Sequence, residues 1–147
     1  MGIDITLFAE HRRPEECWVL TDPLVPFADH FLYQPEAGDP LFVPTTLDIP
    51  RNRALFDILR GPKHKVSGLK LGVILDDFPR PRGLPSDVSS QAREWHDSWG
   101  DVFGASWLTL AEIDTFDWNH HGYGWFREML TAYETYDEVR LVFWFDA

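Results

Sequence analysis

Residues 138–145, Glu138-Val139-Arg140-Leu141-Val142-Phe143-Trp144-Phe145, decide the fold. The centre of this stretch is apolar at consecutive positions and rich in β-branched and aromatic side chains, so both faces of a strand here meet other protein. Such a strand belongs inside a sheet, not at its edge. At the other end of the chain, residues 3–10 alternate Ile3, Ile5, Leu7 and Ala9 with Asp4, Thr6 and Glu10, the period-2 pattern of a half-buried strand. Arg12-Arg13-Pro14 makes a turn, and residues 17–21 offer an antiparallel partner.

Helices are expected mainly between these ends. Pro50-Arg51-Asn52-Arg53-Ala54 opens a helix to about Arg60 with Leu55, Ile58 and Leu59 on one face, and Gly61-Pro62 stops it. Residues 69–75 form a hydrophobic run of strand type, followed by a Pro/Gly loop over 76–85. Ser86 or Asp87 caps the next helix, whose stripe is Val88, Ala92, Trp95 and Trp99 and whose stop is Gly100. Thr109 and Glu112 stand at capping-box spacing for another helix. After a loop at 119–124, residues 125–136 place Trp125, Phe126, Met129, Leu130 and Tyr133 on one helical face. Residues 23–50 hold six prolines among Phe27, Phe31, Leu32, Tyr33, Leu41 and Phe42. That is too apolar for a linker and predicts an irregular segment around the core, with one short helix near 28–33. Terminal strands with helices between them argue for an α+β fold. We expect residues 1–147 to be a single domain, a small and mostly antiparallel sheet. Its N- and C-terminal strands lie near each other, with helices covering one face.

Composition excludes several classes. A chain of 147 residues is one domain by length, and 44% hydrophobic and 15% aromatic residues exclude a disordered chain. No apolar run approaches the roughly 18 residues of a membrane helix, and the N-terminus has the wrong charge order for a signal peptide. The single Cys17 permits no internal disulfide. A cytoplasmic protein with no membrane partner is the expectation. The net charge of −11 argues against general nucleic-acid binding, because a phosphate backbone is repelled overall. Residues 51–82 run the other way, with eight Lys or Arg against Asp57, Asp76 and Asp77, an excess of +5 that leaves −16 elsewhere. Such a basic island is either an anion site or a set of solvated helix and loop ends.

Motifs for chemistry are sparse. The six histidines show no metal-binding spacing, and the nearest candidate, His96-Asp97 with Asp101, needs a helix end and a loop to converge. No metal or other cofactor is expected. Cys17, beside Trp18 in an expected strand, reads as a buried and inert thiol. There is no nucleophile elbow and no phosphate-cradling glycine motif; Gly122-Tyr123-Gly124 is a helix opening. Carboxylate pairs at Asp76-Asp77, Asp97/Asp101 and Asp114/Asp117 depend on a separation in space for any acid–base role. The most informative polar set is Asp4, Arg51, Asn52, Arg82, Asp87 and Ser106, with Trp107 beside it. If these converge, two guanidiniums grip a carboxylate or phosphate bidentately. Otherwise they form an internal Asp–Arg network that ties a proline-braced loop to the sheet.

Several short motifs recur together. They are Met1-Gly2-x-Asp4-Ile5, Arg51-Asn52-Arg53-x-Leu55-Phe56, Arg82-Gly83-Leu84-Pro85-x-Asp87-x-Ser89, Trp99-Gly100-Asp101, Ser106-Trp107-Leu108-Thr109-Leu110-x-Glu112 and the closing residues 139–146. As a set they resemble a family of actinobacterial and phage proteins with no assigned reaction, over most of the chain except residues 15–47. The resemblance implies a bacterial or phage cytoplasmic protein. Members often carry Cys and His in the first motif and a His between the Trp-Gly-Asp and Ser-Trp motifs. Here those places hold Ile3, Thr6 and residues 102–105, which lowers the expectation of an enzyme and of a metal together. Two functions stay open. One is a non-catalytic binding module for a small anionic ligand such as a nucleotide, or for a protein partner in the manner of an immunity or anti-defence protein. The alternative is a hydrolase or transferase using Asp4, Asp87 or Asp101 with Arg82.

Overall fold

The computed structural model describes residues 3–26, 36–37, 41–60, 81–98 and 101–146. The expected helix near 28–33, the strand at 69–75, the Gly61-Pro62 and Gly100 stops, Trp99, Asp76-Asp77 and four of the eight cations of the basic island lie outside these residues.

Four strands form one sheet: β1 (Asp4–Arg12), β2 (Val19–Leu20), β5 (Phe103–Thr109) and β6 (Glu138–Asp146), in the order β2-β1-β6-β5. β1 and β6 pair antiparallel along their whole length, from Asp4 opposite Asp146 to Arg12 opposite Glu138. The terminal strands are thus adjacent and interior, β6 as its apolar run requires. β1, expected to be half-buried, is covered on both faces from Leu7 to Glu10, because Phe8 packs with Val88 and Trp95 and Glu10 is buried against Ser89. β5 adds antiparallel to the other side of β6, and β2 to β1. A separate ribbon pairs β3 (Leu24–Pro26) with β4 (Phe42–Pro44). The class is α+β.

Alternation along β6 sorts its side chains into two clusters. Val139, Leu141, Phe143 and Phe145 pack with Leu7 and Ile5 against α1 (Arg53–Arg60), α3 (Leu110–Ile113) and α4 (Gly124–Met129). Val142 and Trp144 pack with Phe8 against Val88, Ala92 and Trp95 of α2 (Ser90–Ser98) and its lead-in. One face carries helices as expected. The second face carries α2 as well, because the Val88–Ala92–Trp95 stripe needs an apolar surface and β6 supplies one there. Among the described residues no helix is long and apolar enough to cross a membrane.

Four local readings change. The helix expected over 125–136 is α4 followed by a 3-10 turn (Thr131–Thr135), with Phe126, Leu130 and Tyr133 still buried. α2 begins at Ser90, and its first turn is capped by Ser89, whose Oγ accepts from the Ala92 amide at 3.4 Å, and not by Ser86 or Asp87. Cys17 is exposed, because pairing of this segment starts only at Val19. β5 has no counterpart in the sequence reading. Its alternation is hidden by the small residues Gly104, Ala105 and Ser106 and by a register shift between Phe103 and Ser106. Gly104 has φ +66°, and a Cβ there would lie 2.8 Å from Cδ2 of Phe145, so only glycine fits.

Candidate functional site

The two central strands carry opposite charges at matched positions. Glu10 faces Arg140 and Arg12 faces Glu138 across the β1–β6 ladder, so each acid meets a base at the same end of the sheet. Arg140 is 3% exposed and Glu10 is fully buried. Nε and NH2 of Arg140 donate to Glu10 Oε1 at 3.0 and 2.8 Å. The other carboxylate oxygen of Glu10 accepts from the Ser89 amide at 2.9 Å. NH1 of Arg140 reaches out to Asp87 Oδ1 at 2.8 Å. This hydrogen bond and the adjacent charge hold the Asp87 carboxyl below the ordinary aspartate value. The Asp87 side chain itself remains 56% exposed.

A cavity of about 980 Å³ opens over this network. Trp18 and Trp107 both line it, and guanidiniums lie on both rings. Arg140 is 4.1 Å and Arg12 4.5 Å from the Trp18 ring centre, and Arg82 is 4.1 Å from that of Trp107, all within cation–π range. Arg82 comes from the proline-braced loop that runs along the edge of β5. Its amide donates to Ser106 Oγ at 3.0 Å, and the next amide, of Gly83, donates to Ala105 O at 2.8 Å. The loop thereby covers an edge that otherwise exposes unpaired backbone. The Arg82 guanidinium donates to Trp107 O at 3.1 Å and forks onto the Glu112 carboxylate. Glu112 is also the capping-box acid of α3, as expected. Partial burial works to raise its carboxyl, yet the Arg82 and Thr109 hydrogen bonds hold it below the ordinary glutamate value.

The far wall joins Arg127 to Asp114, with Nε 2.5 Å from Oδ1, and to Glu134. Tyr133 from the 3-10 turn and Tyr136 at the end of that turn complete it. The Tyr133 hydroxyl donates to Asp22 at 2.9 Å, and burial together with that neighbouring carboxylate raises its pKa well above the usual tyrosine value. Each cavity arginine is therefore ion-paired: Arg12 with Glu138, Arg82 with Glu112, Arg127 with Asp114, and Arg140 with Glu10.

The structure divides the seven residues singled out in the sequence. Arg82, Asp87 and Trp107 line the cavity. Ser106 is buried behind Trp107 and anchors the Arg82 loop. Asp4, Arg51 and Asn52 do not join them. Asp4 pairs with Arg51 at 2.6 and 3.0 Å, exposed, at the opposite end of the sheet. It sits opposite Asp146, six strand residues from Arg140, or about 20 Å. Two like charges face each other there, and Arg51 offsets them. Its own pKa rises through the Asp4 hydrogen bond and charge. Asn52 caps α1, its Oδ1 accepting from the Leu55 amide at 3.0 Å and from the Tyr123 hydroxyl at 3.3 Å. The anticipated grip of two guanidiniums by Arg51 and Arg82 does not form.

Sequence reading missed Arg140, Glu10, Trp18, Arg12 and Arg127. A signal for the first two was present: one charge sits inside each strand otherwise destined for burial, and adjacent antiparallel strands bring such charges together. Among the described residues no group of three His, Cys, Asp or Glu side chains is placed to hold a metal ion. The chain matches no family model, no curated protein and no solved structure. The site geometry therefore carries the functional argument.

Proposed function

We propose that the chain is a non-catalytic binding module whose cavity takes a small planar ligand bearing an anionic group, of nucleotide-like chemistry. The observation that carries this is the 980 Å³ cavity with Trp18 and Trp107 at its sides and four arginines in its lining. Its volume is that of a small-molecule site, and aromatic walls with a few fixed polar groups are the usual lining of one. Asp87 is held ionised by Arg140, which makes it a weak proton acceptor near neutral pH. That favours binding over the hydrolase or transferase alternative, and Asp4 lies outside the cavity altogether. A protein partner is a second reading, supported by the net charge of −11 and by exposed Leu41 and Phe42 at the β3–β4 ribbon. Placement in the actinobacterial and phage family and in the cytoplasm belongs to the same proposal, the latter suited by an exposed free Cys17.

A screen of nucleosides and nucleotides by thermal shift and tryptophan fluorescence tests it. A ligand at 100 times its Kd adds about 2.7 kcal/mol, or roughly 5–10 °C in a chain of this size. Trp107→Leu should abolish the fluorescence change and the shift. A panel that moves neither readout in the wild-type protein refutes the reading.

A further inference from the structure

We infer that this cavity selects planar ligands carrying at most a single phosphate, and that Asp87 accepts a hydrogen bond from a hydroxyl or amino group of the ligand. This rests on the reading of the cavity as a ligand site. Four arginines line it, but so do five carboxylates. Glu10 and Glu112, immediately behind, take up Arg140 and Arg82, so four positive charges stand against seven negative ones. A polyphosphate entering this space gains no uncompensated cation. It must displace Glu112 from a forked pair or Asp87 from Arg140, and every further charge adds repulsion.

Asp87 is built for the opposite kind of ligand. Arg140 holds its Oδ1 from below at 2.8 Å, and Arg140 is itself fixed by two bonds to the buried Glu10. The carboxylate is thus oriented by a cation anchored in the core while its side chain stays more than half exposed at the cavity lining. A buried ion pair of this type contributes little net stability compared with apolar packing. Its effect here is to aim a charged acceptor. An ionised carboxylate held this way accepts from ligand O–H or N–H groups and repels phosphate oxygens.

The experiment is titration calorimetry on the full chain, without divalent metal. The probes are the four common ribonucleosides with their 5′-monophosphates and 5′-triphosphates, at about 20 mM and 150 mM salt. For any base that binds, the nucleoside or monophosphate should bind at least tenfold more tightly than the triphosphate, and the gap should narrow at the higher salt. Asp87→Asn keeps an oxygen for Arg140 and should weaken the nucleoside about tenfold while improving the triphosphate. Its unfolding midpoint, measured alongside, shows that the variant is folded. Tightest binding by a triphosphate overturns the charge selection and leaves the cavity reading standing. An unchanged nucleoside affinity in Asp87→Asn overturns the role of Asp87. No binding by any member of the panel overturns the cavity reading itself, and the inference with it.

Discussion

Replacing Arg140 by methionine isolates what the buried charge pair does. Glu10 has no exposed surface, and both of its carboxylate oxygens are held, one by Arg140 and one by the Ser89 amide. Arg140→Met leaves a carboxylate in the core with a single backbone donor and no counter-charge. Removing one partner of a buried ion pair costs about 3–5 kcal/mol. At 2–4 °C per kcal/mol that lowers the unfolding midpoint by roughly 6–20 °C. Urea unfolding at pH 7 gives the free energy directly. Arg140→Lys keeps a charge but loses the planar fork that reaches Glu10 and Asp87 together, so it should fall between the two. In the double variant Glu10→Leu, Arg140→Met, no charge is stranded, and at least about 2 kcal/mol of the loss should return. An Arg140→Met protein within about 1 kcal/mol of wild type refutes the reasoning. So does a double variant no more stable than Arg140→Met alone.

Gly104→Ala should cost about 2–4 kcal/mol, from a left-handed backbone and a Cβ pressed on the buried Phe145 ring; the same urea titration measures it. Asn52→Ala should lose about 1 kcal/mol with the α1 cap, while Arg51→Ala, in an exposed pair, should lower the midpoint by no more than about 2–4 °C and leave ligand affinity intact. Glu112→Gln should lose about 0.5–1 kcal/mol at pH 7, the scale of a partly exposed ion pair. Because the folded carboxyl lies below its ordinary 4.5, the wild-type advantage is present above that pH. It disappears as pH falls through the lowered folded value, and melts across acid pH should show the two proteins converging.

The chain's own residues were enough for the fold class. The apolar run at 138–145 forces an interior strand, the alternation from Ile3 marks a second strand, and the two satisfy each other by pairing. The Thr109–Glu112 capping box was legible for the same reason: it acts within one turn of chain, so local spacing contains the whole interaction. Asn52 and Ser89, by contrast, were not singled out as caps. β5 was not legible, because its bulge and small residues erase the period that marks a strand. The site was half legible. Arg82, Asp87 and Trp107 stood out as polar or aromatic residues in a constrained loop and near a helix start, and they do line the cavity. Which charges they meet was decided only in three dimensions. Arg140 pairs with Glu10 across 130 positions because the β1–β6 register places them opposite one another. The same register carries Asp4 to the far end of the sheet, away from Asp87. Patterning within a strand or a helix turn is set by periodicity, which sequence displays. The convergence of charges from separate strands depends on register, and only the folded sheet fixes that.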